Sequence, residues 1–427
     1  MNLRTNKPLL LLLTVLWMCG GCSWSGPSGP PGQKEAEPSG DPGQSGIITV
    51  VTNRTDMIDG TYKEYAQRFH ELHPEITVQF EAFRDYDKSV KIRLASGEAP
   101  DVMLMPSVPA SDLPKFFAPL DDLELDGDMY FKDFRAYEGV TYGIPSGVAV
   151  TGLIYHKKVF EQAGITELPQ TPDAFFAVCE RLKLHGVIPL ASNFKDRWPL
   201  QVWMYDVPLL ISGDGAVKTG LASTDTPFHP ESPYVAALEM IRTLYDQGYL
   251  EPNLNDTNWE RSKRELAEGK IGMMLTGNWA IPQIIENGAK PEEIGFIPFP
   301  ANPSGIQRVT LSPDRYYAVS KSSKHQGAAK TFITWMLTQS GYENYAGYIP
   351  VMKSKSTELQ QLLELESYRP QYVEIVKDTD ELSQILNKAQ LDMPLLVQDY
   401  LLGAPAEVLD RYNQQWAKAR STVLESH

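Results

Sequence analysis

Residues 47–105 read IITVVTNRTDMIDGTYKEYAQRFHELHPEITVQFEAFRDYDKSVKIRLASGEAPDVMLM, three apolar runs separated by two amphipathic ones. Ile47–Val51 is a short apolar run of strand type. Tyr62, Tyr65, Phe69 and Leu72 then recur at helical spacing, and Pro74 closes that helix. Ile76, Val78 and Phe80 alternate as a half-buried strand does. A second helix is predicted over Tyr86–Ser96, stopped by Gly97, and Val102–Met105 is another buried strand. A β-α-β-α-β order of this kind requires parallel strands joined by right-handed crossovers.

The same alternation continues. Leu153–Tyr155 reads as a strand, and Thr171-Pro172-Asp173 supplies an N-cap, a proline for the first helical turn and an acid near the helix N-terminus. Strands are predicted at Val187–Ala191, Ile271–Leu275 and Tyr316–Ser320, and helices at Pro233–Gln247 and Ala328–Leu337. From Glu358 onward the pattern is almost wholly helical. Phe175, Val178, Cys179 and Leu182 fall on one helical face, so Cys179 reads as core rather than as a reactive thiol. The 427 residues accommodate two α/β lobes.

Composition narrows the functions. With 39 Lys+Arg against 54 Asp+Glu the net charge is −15, and no basic run is present, so nucleic acid is not an expected partner. Of the three cysteines, Cys19 and Cys22 lie at the N-terminus, which leaves no disulfide framework and no cysteine zinc site in the body. Arg4 and Lys7 precede the apolar run Leu9–Met18, which is shorter than the ~20 residues a bilayer span needs. The run ends in Cys19-Gly20-Gly21-Cys22, which resembles a bacterial lipoprotein signal, with Cys22 as the lipid-bearing thiol. The bland reading is ordinary secretory cleavage, giving an untethered protein. Residues 23–46 (SWSGPSGPPGQKEAEPSGDPGQSG) are too poor in apolar groups to order themselves and are expected to be a disordered spacer.

Ligands of open α/β sheets sit beyond the carboxyl ends of the strands. Those positions here are Thr52–Asp56, Pro106–Pro109, Ser146–Gly147, Ser192–Trp198 and Gly277-Asn278-Trp279. They offer amides, hydroxyls, carboxylates, a guanidinium and two indoles, but no G-x-G-x-x-G or Walker A cradle for phosphate. Stacking rings beside planar polar groups suit a carbohydrate.

Five stretches then carry a specific resemblance. They are Ala99-Pro100-Asp101-Val102; Gly139–Pro145 (GVTYGIP); Gly152–Phe160 (GLIYHKKVF) through Ala163-Gly164-Ile165; Gly269–Met274 (GKIGMM) through Gly277-Asn278-Trp279; and Gly347–Val351 (GYIPV). In this order they resemble the family 1 extracellular solute-binding proteins, the receptors of ABC importers, of the maltodextrin- and oligosaccharide-binding type. The resemblance implies a two-lobed type II periplasmic-binding-protein-like α/β fold, with a cleft between hinged lobes. It implies one lobe from residues 47–150 and 303–350, and another from 151–302 and 351–427. It further implies a monomer that holds a carbohydrate, needs no cofactor or metal, catalyses nothing, and meets importer permease subunits at the outer face of the membrane.

By the same resemblance Trp279 stacks on the sugar, or else is a core residue under the next helix. Asn193, Asp196 and Trp198 match a ligand-contacting loop, although Trp198 can equally pack a wall. Arg54 and Asp56 either bind hydroxyls or are solvated loop charges. Ser107 and Ser146 follow strand ends. Asp314, Arg315 and Tyr316 either line the cleft or pair with one another. Tyr155, Tyr62, Tyr65 and Phe69 read as core.

Two alternatives are weighed against this. Asp122 to Asp133 has acids at loop positions 1, 3, 5, 7 and 12 with glycine at 6, as a calcium loop does, but Glu124 is too long and Asp133 too short for the usual grip, and an acidic surface loop is the plainer reading. A glycoside hydrolase would need two opposed carboxylates, and Asp196 has no evident partner. A module reporting a sugar to a membrane sensor would look the same in sequence.

Overall fold

The computed structural model describes residues 43–83, 85–123, 125 and 127–425. The signal, Cys22 and residues 23–42 of the expected spacer lie outside them. Residues 43–46, expected in the spacer, are held to the body. Gly46 opens the first strand, the Gly43 carbonyl accepts from the Ala328 amide at 3.0 Å, and His325 Nδ1 lies 2.8 Å from the Ser45 carbonyl.

Twelve strands form two sheets among the described residues. The first contains β1 (Gly46–Thr52), β2 (Ile76–Ala82), β3 (Val102–Leu104), β4 (Arg135–Tyr137), β5 (Val140–Pro145) and β11 (Tyr316–Val319). The second contains β6 (Val148–His156), β7 (Ile188–Ala191), β8 (Ile271–Gly277), β9 (Ile294–Ile297), β10 (Arg308–Pro313) and β12 (Gln371–Glu374). In the first, the order is β2-β1-β3-β11-β5-β4, with β1 parallel to both β2 and β3 as the crossovers require. In the second it is β12-β10-β6-β8-β7, with β9 also on β6.

The helices form where the periodicity places them. Thr61–Leu72 buries Tyr65 and Phe69 against Phe332 and Trp335 of the Gln326–Thr338 helix and stacks Tyr62 on Phe80 of β2, whereas Leu72, in its last turn, is exposed. Burying each such aromatic contributes about 1.5–3 kcal/mol. Tyr86–Ser96 ends on Gly97 at φ 79°, a conformation glycine takes without penalty. Thr171 caps Pro172–Leu184 by accepting from the Ala174 amide, and that helix buries Cys179 completely. Burial pushes the Cys179 thiol far above its ordinary range, as suits a packed rather than a reactive cysteine.

The chain passes between the sheets where β5 gives way to β6 and where β10 gives way to β11. A third crossing runs through Gly347–Pro350, paired to Val148 by two backbone bonds of 3.0 Å between Val148 and Ile349. Residues 303–350 were expected on the first side, but β10 pairs antiparallel with β6 and so belongs to the second sheet. Its switch depends on tertiary pairing rather than on local pattern. One core cluster runs through these crossings, joining Val50 and Phe69 to Val148, Val150 and Met274.

Candidate functional site

The crossings bring together the two rows of strand ends named above. On the first side, the loop after β1 carries Arg54 and Asp56. Arg54 Nε lies 2.9 and 3.1 Å from the two Asp56 carboxylate oxygens, and Nη2 lies 2.6 Å from Oδ2. Burial opposes both charges. The pairing outweighs it, raising the guanidinium and holding the Asp56 carboxyl below its ordinary value.

Asp314 follows β10 at the crossing. It is open to solvent yet crowded on most sides, and this desolvation pushes its carboxyl up against the bonds it accepts from Tyr348 and Ser146. The Ser146 hydroxyl lies within donating reach of both the Arg315 carbonyl at 3.1 Å and Asp314 Oδ2 at 3.5 Å. The positive charge of Arg54 also acts on Asp314. Tyr62, Tyr342 and Tyr348 close this wall from beneath as buried neutral phenols, raised above the ordinary tyrosine range by desolvation.

The second wall is aromatic. Trp198, Trp259 and Trp279 form a triangle, with ring centroids 5.0, 5.3 and 5.9 Å apart. Trp279 stands just past β8 and is half-buried. Trp198 is 39% exposed, and Trp259, at the start of the Trp259–Ala267 helix, is buried. Lys263, one turn further on, holds its ammonium 5.5 Å from the Trp259 ring and 3.0 Å from Gln283 Oε1. Its charge also acts on Asp56 of the first wall, helping to hold that carboxyl below its ordinary value.

Asn278 pins the walls at the crossing. It is fully buried, accepts from the Val150 amide at 2.9 Å and donates to the Gly347 carbonyl at 2.8 Å. Gly347 itself sits at φ 78°, and a Cβ there would lie 2.8 Å from Pro282 Cδ.

The remaining sequence-predicted positions separate. Asp196 is turned inward, its Oδ2 accepting from the Trp259 amide at 2.6 Å. Asn193 is 2% exposed, at φ 54°, with an Oδ1 that finds no partner among the described residues. Arg315 reaches Asp87 at 3.3 Å and packs over Tyr86, and Tyr316 is buried under the Arg135 guanidinium. Ser107 is exposed and joins none of these groups. Trp259, Lys263 and Asn278 were not picked out as site residues. Asn258, whose side chain caps the helix by accepting from the Arg261 amide, was the available signal for Trp259.

Asp122 and Asp128 are each paired to a lysine, Lys330 at 2.7 Å and Lys353 at 2.9 Å, while Glu124 and Asp126 lie outside the described residues. Among the described residues no cluster of His, Cys, Asp and Glu is built to hold a metal, and no helix is long and apolar enough to cross a membrane.

This architecture is matched by known proteins. The family model for bacterial extracellular solute-binding proteins fits residues 55–343. The chain belongs to that family. The multiple sugar-binding protein of Streptococcus mutans is 25% identical to this solute-binding protein over 306 residues, 69% of this chain and 71% of that one. A binding protein of an ABC transporter from Bifidobacterium animalis subsp. lactis, solved in complex with mannobiose, superposes with a TM-score of 0.80 at 29% identity. The superposition covers 89% of this chain and 96% of that one. A manno-oligosaccharide-specific solute-binding protein of the same organism, solved with mannotriose, also gives 0.80, at 26% identity and the same coverage. The fold is therefore the two-lobed type II arrangement of this family, each sheet the centre of one lobe.

Proposed function

We propose that this protein is the extracytoplasmic receptor of an ABC importer for a neutral oligosaccharide, which it traps between its lobes without cleaving it. The observation that carries the reading is the tryptophan triangle, a stacking platform set beside fixed polar groups. The cations near it are each paired, Arg54 with Asp56 and Arg315 with Asp87 on the opposite side and Lys263 with Glu260 at 3.0 Å on the helix that carries Trp259. A sugar needs apolar ring faces for stacking and fixed polar groups for its hydroxyls.

The related mannobiose and mannotriose complexes make β-linked or α-linked manno-oligosaccharides the first ligands to try. Cys22 would tether the receptor through a lipid, with the chain beyond it acting as a spacer to residue 43, and the receptor would work as a monomer.

A thermal-shift screen of the purified protein against mannobiose, mannotriose, raffinose, stachyose, amino acids and divalent ions tests the reading. One saccharide series should raise Tm, since ligand at ~100 Kd adds about 2.7 kcal/mol to the closed form. The saccharide should be recovered intact. Cleavage of the sugar would replace a receptor with an enzyme, and a rise only with amino acids would remove the sugar.

A further inference from the structure

We propose that Asp206 is a ligand-binding residue of the cleft, its carboxylate accepting hydroxyl hydrogens from the sugar ring that lies on Trp279. This rests on the saccharide-receptor reading and adds a residue that no strand end points to in the sequence.

The placement follows from register. Thr310 of β10 pairs directly with Thr151 of β6, and Thr151 pairs directly with Gly277 of β8, both antiparallel. Directly opposed residues project on the same face of a sheet, so the three make one row across it. Above the first two lies Asp206, whose Oδ1 accepts from Thr151 Oγ1 at 2.8 Å and from Thr310 Oγ1 at 2.9 Å. Above the third lies Trp279, since a Cβ on Gly277 would collide with the indole Nε1. The carboxylate and the edge of the indole are therefore neighbours on one face. The row stands at the crossing end of the sheet, one residue from the Val150 amide that Asn278 holds.

What Asp206 lacks matters as much. Both hydroxyls converge on one oxygen, and the residue is only partly buried. No lysine or arginine pairs with it among the described residues. It precedes the Val207–Ser212 helix, but its side chain does not cap that helix. Burial pushes the carboxyl up, and two neutral hydroxyls offset this only in part. A packing or capping role thus leaves half of the carboxylate unexplained. An ionised carboxylate accepts several hydrogen bonds and donates none, which fits adjacent hydroxyls of a pyranose. The two threonines fix its plane in advance, so little order is lost when a ligand arrives.

The test measures Kd by calorimetry for wild type, Asp206→Asn and Trp279→Ala, with whichever of mannobiose, mannotriose, raffinose and stachyose stabilises the wild type. Asp206→Asn keeps the shape and accepts from both threonines, so its ligand-free Tm should match or exceed that of wild type. Its Kd should weaken at least tenfold. Wild-type affinity in Asp206→Asn beside lost affinity in Trp279→Ala would overturn the assignment while leaving the receptor standing. Failure of the wild type to bind any of the four would overturn both. Should Asp206→Asn not fold, the Thr151→Val/Thr310→Val double variant frees the carboxylate from its supports. A weakened Kd is expected there too, and an unchanged one overturns the assignment.

Discussion

The first-lobe wall of the cleft is a bidentate ion pair, a crowded carboxylate and three buried phenols, whereas the second-lobe wall is three indoles in mutual contact. The two differ in what they can contribute. Indole faces remove ring carbons from water and tolerate many sugars, so they supply area. Fixed polar groups gain little net energy against water, but an absent partner leaves a desolvated group unpaired, so they supply discrimination. The indoles should therefore set how tightly a sugar is held, and the fixed polar groups, Arg54 among them, which sugar it is.

Breaking the joint between the walls should have the largest effect. Gly347→Ala places a Cβ 2.8 Å from Pro282 Cδ and 3.0 Å from the Asn278 carbonyl, on a backbone at φ 78°. The positive φ costs an L-residue roughly 1–2 kcal/mol, and overpacking about 1–3 kcal/mol more. The clash lies between the Gly347 crossing and the Ala280–Glu286 helix of the second lobe, and separating them relieves it. Small-angle scattering should show a more open particle than wild type, and ligand affinity should fall by about 100-fold or more. A closed particle with wild-type affinity would show that the crossing is softer than its contacts imply.

Removing the platform comes next. Trp279→Ala should cost about 2 kcal/mol or more, a hot-spot loss, for every sugar that binds. Trp198→Ala should cost less, because Trp198 is already 39% exposed. Arg54→Ala is smaller still in affinity and larger in selectivity. It leaves Asp56, half in solvent, without its partner. Calorimetry with two sugars differing at one hydroxyl should give a compressed Kd ratio in Arg54→Ala and an unchanged ratio in Trp279→Ala. The opposite pattern would reverse the roles of the walls.

How much of this was readable from sequence differs between the walls for a physical reason. β1, β2 and β3 and their helices are local objects, each declared by its own periodicity and its own stop signals. β12 reads QYVE with only Val373 buried, too short to stand out within a stretch whose pattern is otherwise helical. No strand is predicted over Arg308–Pro313, and β10 takes its sheet from β6, some 150 residues earlier, which only folding brings beside it. In the site, Trp279 and Trp198 stand just past strands, where the strand-end rule looks. Trp259 begins a helix, and Asp206 lies between two short helices. Their placement comes from contacts across the chain, of Asp196 with the Trp259 amide and of Thr151 and Thr310 with the Asp206 carboxylate. Asp196 was legible as a polar residue in the right loop, but its amide partner was not.

That partner gives the smallest effect, and the one that sharpens the aromatic wall most. Asp196 accepts from the Trp259 amide at the first turn of a helix, so Asp196→Ala should cost about 1 kcal/mol of stability, as the loss of a cap does. Asp196→Asn retains an acceptor oxygen and should cost less. A ligand-contacting Asp196 would weaken binding in both variants and leave the indoles undisturbed. A positioning Asp196 instead shifts Trp259 against Trp198 and Trp279, which changes the near-ultraviolet circular dichroism of the coupled indoles before any sugar is added. The second outcome, in Asp196→Ala and largely restored in Asp196→Asn, is expected. With the rings only 5.0 to 5.9 Å apart, a displacement of one ring by a fraction of an ångström alters every pair in the triangle. An unchanged dichroism with a weakened Kd would return Asp196 to the ligand and leave Trp259 held by packing alone.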